Sequence, residues 1–114
     1  MAKSYYNVIE TLVSIWAVND NKLKLLLRRK KEDPYKGYWM LPGSILSNEE
    51  TLEEQTKDIV VKMTQLPPIY IKGGAIFSNL DRDPDERVIG QSFLALTLKD
   101  LVALDSLEEG MAWF

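Results

Sequence analysis

Carboxylates, cations and tyrosines are the groups left to do chemistry in this chain, because the sequence contains neither cysteine nor histidine. Disulfides, thiol catalysis, serine–histidine catalysis and histidine-ligated metal are thereby excluded. The acidic candidates crowd one stretch: Glu49, Glu50, Glu53, Glu54 and Asp58. The cationic candidates are spread out: Arg29 with Lys30, then Lys62, then Arg82 with Arg87. Arg82 and Arg87 could form bidentate bonds to a diphosphate, with the aspartates of the same loop accepting from ribose hydroxyls. The competing reading is a solvated hairpin tip in which Asp81, Arg82, Asp83 and Arg87 pair among themselves. Arg29 and Lys30 are further anion candidates. Lys62 could neutralise a phosphate, or be a solvated helix lysine. Tyr35, Trp39 and Phe77 offer aromatic faces on which adenine could stack, with core packing the leading role for Trp39.

The elements that must position these groups follow from periodicity. Leu52, Thr56, Ile59, Val60 and Met63 recur at i, i+4, i+7, i+8 and i+11, which predicts an amphipathic helix. Ser47 and Glu50 have the spacing of a capping box, and the surrounding glutamates suit the positive end of the helix dipole. Pro67-Pro68 stops the helical region. Ile9 to Val18 is rich in β-branched residues and reads as a strand. Asn19-Asp20-Asn21-Lys22 is turn chemistry, and Leu23 to Arg29 completes a hairpin. These strands are apolar on both faces, as in a sheet covered by helices. Ile69 to Ser78 reads as a third strand with a bulge or bend at Gly73-Gly74. Val88 to Leu98 reads as a fourth. Lys99 to Gly110 reads as irregular with a short helical turn, and Met111 to Phe114 as the start of another strand.

Composition bounds the rest. A chain of 114 residues with 46% hydrophobic content makes one domain with a real core. Fourteen basic and 17 acidic residues, net −3, are well mixed and do not form a general nucleic-acid surface. No signal peptide or membrane-spanning apolar run is visible, so a cytoplasmic location is expected.

Two adjacent segments carry a family resemblance. Pro34-Tyr35-Lys36-Gly37-Tyr38-Trp39-Met40-Leu41-Pro42-Gly43 resembles the Nudix run Pro-Phe-x-Gly-x-Trp-x-Leu-Pro-Gly. The stretch from Ser44 to Leu66 resembles the Nudix box: Gly, five residues, Glu, seven residues, then Arg-Glu-(apolar)-x-Glu-Glu-x-Gly-(apolar). Laid on without gaps, Glu50 matches the first Glu, and Val60 and Leu66 match the apolar positions. The chemistry departs from the pattern. Ser44 replaces the first Gly, Asp58 the Arg, Ile59 the next Glu, Lys62 and Met63 the Glu-Glu pair, and Gln65 the second Gly. The run Asp81-Arg82-Asp83-Pro84-Asp85-Glu86-Arg87-Val88 is similar to a loop of ADP-ribose-type Nudix proteins and of Nudix-related transcriptional regulators of NAD metabolism.

The resemblance implies a Nudix-type α/β/α sandwich with a mixed central sheet, spanning residues 1–114 as a single domain. The family's second helix, normally following the strand near Trp113, is missing from the sequence. The chain therefore reads as truncated at the C-terminus or as a domain that never had a successor. One sheet face is then poorly covered. In the family, helix glutamates hold magnesium against a diphosphate. Ile59 and Met63 offer no hard oxygen and Lys62 repels a cation, so no metal cofactor is expected. Replacing Ile59, Lys62 and Met63 by Glu would, on this placement, create magnesium affinity. The resemblance thus implies a catalytically impaired domain that binds an ADP-ribose-like nucleotide as a sensor or regulatory module. It also implies a homodimer, with Tyr5 and Tyr6 suiting an interface, and DNA contact only through a domain outside this chain. The alternatives are an active magnesium-dependent hydrolase using Glu50, Glu53, Glu54 or Asp58 in altered geometry, and an interaction scaffold without a ligand.

Overall fold

The structure, a computed structural model, describes residues 8–19, 21–33, 35–80, 87–97 and 110–114. Strand β1 (Val8–Asn19) is the centre of the sheet. Its odd positions Thr11, Val13, Ile15 and Ala17 are fully buried while the even positions are less so. That alternation gives the sheet one core face. β1 turns into β2 (Lys22–Arg29) with antiparallel pairing from Ile15↔Leu26 to Asn19↔Lys22. Asn21 at the turn sits at φ 62, a conformation Asn tolerates better than most residues.

Two short strands flank the Pro-Gly turn. β3 (Trp39–Met40) pairs with the end of β2, and β4 (Gly43–Ile45) pairs antiparallel with the first half of β1. Gly43 is required there, since a Cβ would lie 2.7 Å from the Thr11 carbonyl oxygen. Then come helix α1 (Leu52–Thr64), β5 (Tyr70–Phe77), β6 (Val88–Thr97) and β7 (Met111–Trp113). The sheet order is β3-β2-β1-β6-β5, with β7 pairing β2. β1 and β6 run parallel and the other pairs antiparallel, so the sheet is mixed as expected. β3 and β4 have no counterpart in the sequence reading, because two or three residues are too few for a periodic signal.

α1 packs its buried Ile59 and Val60 on Val13, Ile15, Leu26 and Ala95, with Met63, Ile71, Met111 and Trp113 against the edge of that cluster. The capping box is not Ser47/Glu50. Thr51 is the N-cap: its hydroxyl accepts from the Glu54 amide and the Glu54 carboxylate takes the Thr51 amide. The same spacing occurs twice, and the pair directly before the first core-facing residue, Leu52, sets the start. Ser47 donates to the Glu50 carboxylate at 3.1 Å in the preceding loop. Nor do the prolines end the helix. It ends at Thr64, and Gln65 takes the left-handed conformation at φ 64 while its amide donates to the Val61 carbonyl.

α1 covers one face of the sheet, and Val18, Leu23 and Leu94 of the strands are exposed, as expected for a sheet with one poorly covered face. One further expectation changes. Trp39 is not core. It is 41% exposed on edge strand β3, its ring edge-on to Phe114 at 5.0 Å between centroids. Met40, its neighbour, pairs with Arg28 on the α1 side, so alternation turns Trp39 to the other face.

Candidate functional site

A groove of about 430 Å³ opens where the end of β2 meets β3, β7 and the last turns of α1. Arg28 of β2 faces Met40 of β3 on one side and Met111 of β7 on the other. Those two methionines join Met63 of α1 to make an apolar wall. The rim is ionic: Arg28, Arg29, Lys30 and Lys31 against Glu10 and Glu32. Four cations and two acids leave a local excess of positive charge in a chain of net −3. An adaptable apolar wall beneath a cationic rim suits a ligand with a flat organic body and an anionic group.

The loop after β2 holds part of that rim in place. The Arg29 Nε donates to the Gly37 carbonyl at 3.2 Å. The Lys30 amide donates to the Tyr38 carbonyl, and the Gly37 amide returns to the Lys30 carbonyl. Tyr35 at φ 67 and Gly37 at φ 89 permit so tight a loop. The Lys30 ammonium lies 5.9 Å from the centroid of the Tyr35 ring, which in turn sits 5.8 Å from that of Tyr38. Tyr35 is largely exposed and available to a planar ligand.

The residues singled out from sequence therefore divide. Arg29, Tyr35 and Trp39 gather at the β2–β3 edge. Phe77 and Arg87 belong to β5, the opposite end of the sheet, and the loop leading into β6. The Arg87 guanidinium donates to the Ser78 carbonyl at 2.7 Å and the Asn79 carbonyl at 3.1 Å, bracing the backbone that leaves β5. Lys62 is exposed in the last turn of α1 and does not line the groove, whereas its neighbour Met63 does. Arg82, Tyr5, Tyr6 and the expected helical turn before Gly110 lie outside the described residues. The sequence reading missed Arg28, Lys31, Met40 and Met111. The contiguous run Arg28-Arg29-Lys30-Lys31 was the signal that could have found two of them.

The acidic residues are dispersed. Glu50 accepts from Ser47, Glu54 serves the cap, and Asp58 is exposed. Glu53 lines a separate groove of about 370 Å³ with Lys57, Tyr70 and Phe93. Among the described residues, no three carboxylates stand together where they could hold a metal ion. The donor set at the box positions does not fit magnesium: a thioether at Met63, an ammonium at Lys62 and an alkyl chain at Ile59. Ile59 is only 6% exposed within the core cluster. The three positions thus differ in environment, and a Glu at 59 would enter the core rather than a metal site.

A buried polar contact fixes α1 to the sheet. The Thr11 hydroxyl donates to the Gln55 side-chain oxygen, and the Gln55 amide donates to the Ile45 carbonyl at 2.8 Å. One side chain thereby joins α1, β1 and β4. No helix of the described residues is long and apolar enough to cross a membrane.

Comparison with known proteins places these features among relatives. No family model matches the chain. It is 30% identical over 92 residues to the ADP-ribose pyrophosphatase of Methanocaldococcus jannaschii, covering 81% of this chain and 54% of that protein. The chain thus spans about half the length of that curated relative. A MutT/nudix family protein from Enterococcus faecalis superposes with a TM-score of 0.80 at 24% identity, covering 100% of this chain and 46% of that one. The NUDIX domain of Shewanella oneidensis NrtR, solved with ADP ribose, superposes with a TM-score of 0.76 at 22% identity, covering 97% of this chain and 74% of that one.

Proposed function

The chain has the fold of the Nudix superfamily, and from that premise we propose that it binds an ADP-ribose-like nucleoside diphosphate without efficient hydrolysis, as a sensor or regulatory module. The observation that carries this reading is the groove itself. Met63 stands in its wall at a position where the family pattern has a glutamate, and a run of four cations stands at its rim. Arg28, Lys30 and Lys31 neutralise the diphosphate directly, the charge that a metal would otherwise meet. Met40, Met63 and Met111 pack against the apolar part of the ligand, and Tyr35 stacks on a base or ribose. The relative named as an ADP-ribose pyrophosphatase and the neighbour solved with ADP ribose support the ligand class. The whole protein acts in the cytoplasm as a homodimer, and any contact with DNA is made by another domain.

Calorimetric titration of ADP-ribose with and without magnesium, followed by chromatography of the nucleotide, tests this. Binding that needs no magnesium and leaves the nucleotide intact is expected, and at about 100 times the dissociation constant it adds about 2.7 kcal/mol of stability. Lys30→Ala with Lys31→Ala weakens binding by roughly tenfold or more. The pyrophosphatase relative favours a second reading, an active hydrolase. Magnesium-dependent release of AMP and ribose phosphate would establish that reading and overturn the first. Absence of binding by a folded protein would overturn both.

A further inference from the structure

β5 forms the sheet edge opposite the groove, and its sequence is nearly self-complementary. Among the described residues its sheet neighbour is β6 alone. Its residues read Tyr-Ile-Lys-Gly-Gly-Ala-Ile-Phe, and all but Ile71 are exposed. Tyr70 is 52% exposed and Ile76 65%, while Leu80 just beyond the strand is 84% exposed. Reversed upon itself, the strand sets Tyr70 against Phe77, Ile71 against Ile76, Lys72 against Ala75 and Gly73 against Gly74. Aromatic meets aromatic, isoleucine meets isoleucine, and the strand's one charge meets a small neutral residue instead of itself.

Such a register fails in a regular strand. Two copies related by a twofold axis normal to the sheet keep their faces, so residues placed opposite each other must point to the same side. Tyr70 and Phe77 are an odd number of residues apart, and in an unbroken strand they would point to opposite sides. β5 is not unbroken. Its pairing with β6 shifts by one residue between Gly73 and Ile76, so that two residues of β5 oppose one of β6. Tyr70, Lys72 and Phe77 consequently pair with Leu96, Leu94 and Gly90, all on the open face. Ile71, Gly73 and Ile76 pair with Ala95, Phe93 and Gln91 on the α1 face. The bulge brings Tyr70 and Phe77 onto one side and Ile71 and Ile76 onto the other, and the two glycines leave the axis free of side chains.

We propose that β5 is a self-association edge, pairing antiparallel with β5 of a second copy of this chain about an axis between Gly73 and Gly74. The sheet then runs continuously through both copies. The same register carries Leu80 of the second copy toward Pro67–Ile69 of the first, beside the groove lined by Pro68, Ile69 and Tyr70. That accounts for a leucine held almost wholly in solvent in the separate chain. Lys72 and a bulge are devices that blunt an edge against arbitrary strands. In this register neither obstructs a second copy of the same strand. The inference supplies an interface for the homodimer proposed above and is independent of nucleotide binding, which concerns the other end of the sheet.

The chain has no cysteine, so introduced thiols report the register directly. Tyr70→Cys and Phe77→Cys proteins are mixed and oxidised. Residues opposed in an antiparallel pair lie within disulfide reach. The expected product is a disulfide-linked species containing one of each variant, with neither variant linking appreciably to itself. Sedimentation equilibrium of the natural chain is expected to show a monomer–dimer equilibrium at roughly ten to several hundred micromolar, since a single strand edge makes a small interface. Ile76→Lys sets a charge against Ile71 of the second copy. It is expected to shift the equilibrium to monomer by at least tenfold with unchanged circular dichroism and melting temperature. A monomer throughout that range overturns the proposal. So does linking of Tyr70→Cys to itself as readily as in the mixture, or a dimer that Ile76→Lys leaves intact.

Discussion

Replacing Gln55 by Met tests whether one buried amide locks α1 onto the sheet. The substitution keeps an unbranched chain of similar length and removes both the acceptor used by Thr11 and the donor to Ile45. Each such bond contributes about 1 kcal/mol net, and stranding a buried hydroxyl adds more, so the loss is about 2–3 kcal/mol. Thr11 is fully buried and Gln55 nearly so, so water cannot readily take over either group. For a domain of this size 1 kcal/mol corresponds to roughly 4 °C, so the melting temperature should fall by roughly 10 °C. Thermal and urea unfolding followed by circular dichroism read this directly. Thr11→Val removes the other partner isosterically. The double variant should therefore be less destabilised than the two single losses added together, by about 1 kcal/mol. A Gln55→Met loss below about 0.5 kcal/mol, or additivity within about 0.3 kcal/mol, would refute the reasoning.

Three other substitutions have signs set by the structure. Gln65→Gly relieves a left-handed residue at the end of α1 and should stabilise by about 0.5–1 kcal/mol after the added freedom of the unfolded chain is counted; a lower urea midpoint would contradict the cap geometry. Among the described residues, no hydrogen-bond partner meets the buried Thr97 hydroxyl. Thr97→Val should be neutral or stabilising by up to about 1 kcal/mol, and clear destabilisation would reveal a partner for that oxygen. Ile59→Glu places a carboxylate in the core and should cost about 3–5 kcal/mol, leaving the protein largely unfolded without magnesium affinity; a folded variant that binds magnesium would mean the helix face is misplaced.

Where a signal is local, the sequence was sufficient. The hairpin of β1 and β2, the strands β5 and β6, the bulge at Gly73-Gly74 and an amphipathic helix carrying Leu52 to Met63 follow from period, turn residues and glycines read a few positions at a time, though not the helix's cap. The family resemblance rests likewise on contiguous runs, Pro34 to Gly43 and Ser44 to Leu66, and it supplied the mixed sheet that periodicity alone did not. The absence of Cys and His limited the available chemistry before any fold was known. What depended on contacts between distant residues was not legible. Gln55 reads as a polar helix residue until Thr11 and Ile45 are seen to enclose it. Met40, Met63 and Met111 lie far apart in the chain and form one wall only because β3 and β7 both pair with β2 beneath α1. Arg87 and Arg29 look alike as anion ligands in sequence, yet strand order separates them: Arg29 ends β2, while Arg87 leads into β6 on the other side of β1 and holds two backbone carbonyls. Side-chain type and spacing determine which elements form, because those preferences act within a few residues. Which cations share a groove is decided by strand order and register, because only pairing across the chain brings them within reach of one ligand.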